Sequence, residues 1–172
     1  DTLFLFEEGV DVFQGAPSTA SSYTSSVNGA SLDAYEGSYY QSINVQSVAA
    51  QNELIGEIRY SDGYKDKLQY YNAPHLSFWV NTGQHRGFLK VIAYEGDTRF
   101  ICNLGAFNTS GQWELVTVNI RAQTVHEDGT DEKIDFEHMT DLAVEVYTGS
   151  AENGEQLDVH LDYVVVSEGP LF

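Results

Sequence analysis

The sequence predicts an all-β protein, an antiparallel β-sandwich of jelly-roll type, and three observations carry that prediction. The chain of 172 residues is 13% aromatic, with 11 Tyr, 9 Phe and 2 Trp against 3 Pro and 1 Met, and long runs of helical period are missing. Stretch after stretch instead alternates apolar and polar residues with period two. Turn signals every dozen or so residues separate about eight to ten such stretches, the cadence of a sandwich. The length fits a single domain, 1–172, with a hydrophobic core of its own. No repeat of about 20–50 residues is visible, which argues against solenoids and propellers.

Taken in order, "TLFLFEEGV" sets Leu3 and Leu5 against Phe4 and Phe6, so it predicts a strand covered on both faces. "QGAPSTASSYTSSVNGAS" is rich in Ser, Gly and Ala, the composition of a long loop, and loops of that length often carry function. "YEGSYYQSINVQS" resumes the alternation with Ile43 and Val45 inward. "ELIGEIRYS" follows as another strand, in which Gly56 marks a bulge or a close backbone approach. "SDGYKDKLQYYNAPH" is a second informative loop, whose Tyr64, Tyr70 and Tyr71 either rim a groove or pack beneath their own loop.

Residues 75–121 read as four strands joined by short turns, and the other stretches are arranged around them. In the first, Leu76, Phe78 and Val80 alternate with His75, Ser77, Trp79 and Asn81, so a large indole falls on the face opposite the core. "VIAYEGDTRFICNL" places a hairpin turn at Glu95, Gly96 and Asp97. Cys102, the single cysteine, excludes an intrachain disulfide and fits a small buried hydrophobe. "QWELVTVNIRA" puts Val116, Val118 and Ile120 on the core face and Leu115, Thr117, Asn119 and Arg121 on the other, with Trp113 at its start in a rim or end-cap position. "HEDGTDEKIDFEHMTD" is an acid-rich connection with room for a short helical turn. It lacks the D-x-D-x-D-G spacing of an EF-hand loop and reads as solvated. "DLAVEVYTG" and "LDVHLDYVVVSE" are the last two strands, around the turn "SAENGEQ".

The formal charge of −18, from 26 acids and 8 bases, argues against nucleic-acid phosphates and anionic membrane surfaces, which would repel the chain. Partners are expected to be neutral, cationic or bound through a metal. No apolar run approaches a membrane span, and no signal peptide or lipid-attachment sequence opens the chain. It starts at Asp1 as an excised module or mature fragment would.

Catalytic patterns do not stand out. Glycoside hydrolysis needs two facing carboxylates about 5–10 Å apart, and Glu57, Glu95, Asp97 and Glu145 form no pair legible from sequence. Neither the E-x-D-x-x-E arrangement of some sandwich glycosidases nor lyase-type Arg, Gln-x-His and Tyr motifs occur. His126, His138 and His160 lack zinc-type spacing, and no G-x-S-x-G elbow is present. Asn108-Thr109-Ser110 fits the N-glycosylation pattern, which matters only in a eukaryotic secretory route.

A strand ending in "FEEG", then "G" and "YYQSINV", "LSFWVN", "QWELVTVNI" and finally "LDYVVV" follow one another in an order that resembles calcium-bearing jelly-roll carbohydrate-binding modules. The order is also similar to the glycan-binding sandwich domains of Bacteroidetes surface glycan-binding proteins. The resemblance covers most of the chain. Each motif is generic strand, and their order and spacing make the case. In such modules a structural calcium commonly joins the first strand to the last. The resemblance puts the ligand acids on Glu7 and Asp162, with Glu8 an alternative to Glu7 and backbone carbonyls near Gly37 completing the set. Calcium chemistry agrees, because two carboxylates on neighbouring strands repel without a cation between them.

The resemblance implies a non-catalytic carbohydrate-binding module that targets an attached enzyme or surface protein to glycan. It would be part of a larger multidomain protein, secreted or at the cell surface, without nucleic-acid or membrane-insertion roles. Sugar rings call for an aromatic platform and for planar amide, carboxylate or guanidinium groups that make paired hydrogen bonds. Trp79 is the expected platform. His75, Asn81, Lys90, Tyr94, Arg99, Asn103 and Asn119 are expected to share its face by alternation. The competing reading buries Trp79 beneath a loop or helix. Two other functions stay open: a sandwich-fold glycoside hydrolase or polysaccharide lyase, and a protein-binding adhesin-like domain.

Overall fold

The period-two alternation resolves into two antiparallel sheets packed face to face. The computed structural model describes residues 2–4, 6, 8–28, 34–35, 37–61, 74–83 and 86–170. Along these the strands are β1 (Thr2–Phe4), β2 (Phe13–Gly15), β3 (Ser22–Asn28), β4 (Tyr40–Ser47), β5 (Leu54–Ser61) and β6 (His75–Thr82). They continue as β7 (Phe88–Glu95), β8 (Thr98–Ala106), β9 (Glu114–Asn119), β10 (Val125–His126), β11 (Asp141–Tyr147) and β12 (Leu157–Ser167), with one short helix, α1 (Ile120–Gln123), after β9. The first sheet runs β3-β4-β12-β6-β9, with β1 also paired to β12; the second runs β10-β8-β7-β11-β5-β2. Every pairing is antiparallel. This is the expected jelly-roll sandwich.

The inward residues of both sheets form one core. Ile43, Phe78, Val80, Val118 and Leu161 from the first sheet meet Ile58, Val91, Phe100, Val144 and Val146 from the second, each at most 2% exposed. Burying a side chain of this size stabilises the fold by about 1.5–3 kcal/mol. Cys102 is buried in the same core, as expected for a small hydrophobe. Gly56 sits where the backbones of β2 and β5 come together: a Cβ there would lie 2.2 Å from the Gln14 carbonyl oxygen and 2.6 Å from the Phe13 ring. The close approach expected from the sequence is therefore the reason for the glycine.

Three expectations change. Residues 22–28, expected within a long loop, form the edge strand β3. Its outward positions are hydroxylic because only one face is covered, while Tyr23 and Val27 pack against the core. The acid-rich connection does contain a helical turn, Phe136–His138, capped by the Asp135 side chain accepting from the Glu137 amide. It is more than a solvated loop, since Ile134, Phe136 and Met139 plug the core beneath it. Lastly, β6 to β9 do not lie side by side. β6 and β9 pair in the first sheet and β7 and β8 in the second, so the chain changes sheet between β6 and β7 and again after β8.

Candidate functional site

That crossing divides the eight expected site residues between opposite faces of the molecule. His75, Trp79 and Asn81 lie on β6 and Asn119 ends β9, on the outer side of the first sheet; Lys90, Tyr94, Arg99 and Asn103 lie on β7 and β8, on the outer side of the second. The expectation that all eight share one face is corrected by this topology. Alternation assigns the side of a strand correctly but cannot say which sheet the strand joins.

On the first sheet Trp79 points away from the core as expected, and its ring is half-buried. Tyr35 stacks on it with centroids 3.7 Å apart and planes 19° apart. Asp162, the neighbour of Trp79 across β12, holds that stack in place by accepting from the Tyr35 backbone amide at 3.0 Å. Its other oxygen accepts from the Tyr163 amide at 2.8 Å, and the side chain is fully buried. Asn119 caps α1 by accepting from the Ala122 amide, which ties its carbonyl to the backbone. Asn81 donates to the Gly111 carbonyl, and His75 opens β6 opposite Asn119.

The second sheet presents a different surface. Phe88, Lys90, Ile92 and Tyr94 alternate outward along β7. Their cross-strand partners are Tyr147, Glu145, Ala143 and Asp141 of β11 on one side and Ala106, Asn103, Ile101 and Arg99 of β8 on the other. Glu57 and Arg59 of β5 continue the row beyond β11. Arg99 makes two bonds to Glu145, at 2.7 and 2.9 Å, and Tyr147 donates to the same carboxylate at 2.9 Å. Arg59 bonds Asp141 at 2.6 Å and stacks over the Tyr94 ring at 3.9 Å. Phe88 and Tyr147 stack at 4.6 Å with planes 6° apart, and the Lys90 ammonium sits 4.6 Å from the Tyr147 centroid.

This face carries an aromatic group at each end and planar charged groups between. Tyr94 and Phe88 are six positions apart on one strand, about 20 Å at the usual rise per residue. Arg59, Lys90 and Arg99 balance Glu57, Asp141 and Glu145, so the face is locally neutral in a chain of charge −18. Burial raises the Glu57 pKa above the ordinary carboxylate value, against the opposing pull of Arg59. Burial, with the Glu145 charge, pushes Tyr147 up to about 12, so its hydroxyl remains a donor. Burial likewise raises Tyr94. Asn103 is exposed and bonds its own strand, accepting from the Gly105 amide beside the bulge in β8.

Phe88, Glu57, Arg59, Asp141, Glu145 and Tyr147 were not among the expected site residues. One signal was available: "DLAVEVY" places Asp141, Ala143, Glu145 and Tyr147 on one side of a strand otherwise made for a core. Their junction with Glu57 and Arg59 depends on β5 lying beside β11, which no local pattern encodes. For the metal, Glu7 lies outside the described residues, as do Tyr64, Tyr70 and Tyr71 of the tyrosine-rich loop. Asp162 is fixed by two amides, one of them from Tyr35, two residues from Gly37. Among the described residues no group of three or more His, Cys, Asp and Glu side chains converges as a metal site would. None of the described helices is long and apolar enough to cross a membrane.

No protein-family model matches the chain, and no curated protein sequence matches it. Solved structures do. A family 11 carbohydrate-binding module from Clostridium thermocellum, in complex with a β-1,3-1,4-mixed-linked tetrasaccharide, superposes with a TM-score of 0.65 at 11% identity, over 95% of this chain and 92% of that one. A family 30 carbohydrate-binding module gives 0.60 at 14% identity, over 99% and 91%. A family 61 module in complex with β-1,4-galactotriose gives 0.55 at 10% identity, over 98% and 99%. At these identities the likeness is one of fold: the chain has the β-sandwich jelly-roll architecture of carbohydrate-binding modules.

Proposed function

We propose that this chain is a non-catalytic carbohydrate-binding module and that an oligosaccharide or polysaccharide chain lies along β7 and β11, across the outer face of the second sheet. The observation that carries the reading is the row itself: Tyr94 and the Phe88–Tyr147 pair about 20 Å apart, with Arg–carboxylate pairs between them. At one end the half-buried Phe88 and Tyr147 rings offer stacking surface to sugar C–H faces, and at the other the Arg59 guanidinium, lying over the buried Tyr94 ring, offers a planar one. Guanidinium, carboxylate and phenol groups offer the in-plane hydrogen bonds that sugar hydroxyls need. Because those polar groups already hold one another in place, little side-chain freedom remains to be lost on binding. The neutral balance of the face fits a neutral glycan. Similar folds solved in complex with a β-1,3-1,4-mixed-linked tetrasaccharide and a β-1,4-galactotriose support the class of ligand.

A second reading, a glycosidase, draws on one observation: Glu57 and Glu145 are direct cross-strand partners, and burial raises the first. Glu145 has both oxygens engaged by Arg99 and is 3% exposed, which disfavours it as a nucleophile or base. The calcium reading stays with Asp162 and Glu7, supported by the fixed, buried Asp162 carboxylate at the junction of β12 with the segment leading to Gly37. The module is further proposed to serve a larger secreted or surface protein, as the resemblance to Bacteroidetes glycan-binding domains implies. Affinity electrophoresis against a panel of neutral and acidic polysaccharides, with product analysis alongside, tests the function. Retardation without new reducing ends or unsaturated products is expected; shortened chains would replace the reading by the hydrolase or lyase, and no retardation by any polysaccharide would overturn it.

A further inference from the structure

The outer face of the first sheet holds a groove of about 570 Å³, within the range of about 300–1,000 Å³ typical of small-molecule sites. Its floor is Asn81 of β6 beside its cross-strand partner His160 of β12, with Asp158 one outward position further along. Its wall is the turn that leads into β9, where Gln112 and Trp113 follow Gly111. That turn is anchored to the floor by the bond from Asn81 Nδ2 to the Gly111 carbonyl, 3.2 Å. Tyr40 closes the aromatic end, 4.8 Å from His160 and 5.8 Å from Trp113, meeting the indole at 77° rather than stacking flat on it.

The polar groups along this groove are hydrogen-bonding groups that the fold only partly uses. Asp158 Oδ1 accepts from Asn44 Nδ2 at 2.7 Å. Its other oxygen, the Asn81 side-chain oxygen Oδ1 and the Gln112 side-chain amide make no hydrogen bond with the described residues. Built Cβ atoms on Gly83 and Gly111 would meet nothing within 4 Å, so both glycines stand open at the rim. The combination is aromatic at one end, amide and carboxylate at the other, and without a Lys or Arg among the described residues of its lining. Those are the requirements of a neutral, hydroxyl-rich ligand and not of an anion.

We propose that this groove is a second saccharide-binding site, distinct from the face of β7 and β11. Resting on the reading of the chain as a glycan binder, it adds a consequence. Two sites on opposite sides of a sandwich cannot lie on one straight glycan, so the module bridges two chains, or two stretches of one chain, with the gain in avidity that bivalency brings.

The two tryptophans give a direct test by NMR of the nitrogen-labelled protein. Their two indole N–H signals are assigned with a Trp113→Phe variant and followed while the β-1,3-1,4-mixed-linked tetrasaccharide, β-1,4-galactotriose and cello-oligosaccharides are titrated in. A saturable shift of the Trp113 indole and of the His160 ring by at least one probe is expected. It should persist in Phe88→Ala and in Lys90→Ala, which alter the opposite face. In an Asp158→Ala/Gln112→Ala variant the binding reported by Trp113 should weaken at least fivefold while shifts on β7 and β11 remain. Shifts confined to β7, β8 and β11, or a Trp113 shift lost with Phe88→Ala, would overturn the second site and leave the proposed function standing. No shift on either face with any probe, together with no retardation in the electrophoretic screen, would remove both.

Discussion

Replacing Trp79 by Ala separates what the sequence expects of this residue from what the structure gives it to do. The indole is half-buried, stacked on Tyr35 at 3.7 Å, beside the Asp162 that anchors the Tyr35 backbone. A fully covered aromatic side chain buries about 150–250 Å²; half of that, at about 25 cal/mol per Å², is worth about 2–3 kcal/mol. The stack itself adds about 0.5–1.5 kcal/mol. The substitution should therefore destabilise the fold by about 2.5–4.5 kcal/mol, close to the range for a fully buried ring. Urea denaturation of the two proteins reads this as a lower midpoint at unchanged slope. Glycan affinity at the face of β7 and β11, measured on the folded fraction, should stay within twofold, because the ring does not reach that face. A stability loss below about 1 kcal/mol together with a large loss of affinity would show that the Tyr35 stack opens in solution and that Trp79 is itself the sugar platform.

Three further outcomes follow from the same geometry. Glu145→Ala strips Arg99 of its bidentate partner and leaves the Tyr147 hydroxyl without its acceptor, so it should cost about 2–4 kcal/mol; an Arg99→Met/Glu145→Leu double variant should recover most of that in the same urea curves. Glu57 has a raised folded pKa, so its contribution to stability is fully present below the unfolded carboxylate pKa and is lost as pH rises through the folded value. Glu57→Gln should accordingly raise the melting temperature at pH 7 and lose that advantage near pH 4, and an advantage independent of pH would contradict the burial argument. If calcium joins Glu7 to Asp162, a chelator should lower the melting temperature, since a ligand at a hundredfold excess over its Kd adds about 2.7 kcal/mol. Unchanged melting, with no metal in native mass analysis, would refute the site.

The parts of this structure legible in the sequence are those set by local period. Leu76, Phe78 and Val80 inward, Trp79 outward, the Glu95–Gly96–Asp97 turn and the backbone contact at Gly56 all follow from spacing one strand at a time. The site was only half legible, because it depends on which strands become neighbours. Alternation puts Lys90, Tyr94 and Arg99 on an outward face but gives no ground for separating them from the sheet of Trp79, since no local pattern between β6 and β7 announces a change of sheet. Glu57, Asp141 and Glu145 read as separate acids until β5, β11 and β7 lie side by side. An edge strand needs few apolar residues to hold it, so Ser22–Asn28 carries no apolar run that marks it as a strand.

The central claim, that glycan lies on the outer face of the second sheet, is tested most directly by isothermal titration of the wild type and of Phe88→Ala with the oligosaccharide that the electrophoretic screen retains. Phe88 is half-buried and, among the described residues, its ring stacks on Tyr147 and beneath Lys90, so its removal should leave the core intact while taking away one end of the stacking surface. The account predicts at least a tenfold weaker Kd for that face, equivalent to about 1.4 kcal/mol; a folded Phe88→Ala protein that binds the same oligosaccharide with undiminished affinity and stoichiometry would contradict it.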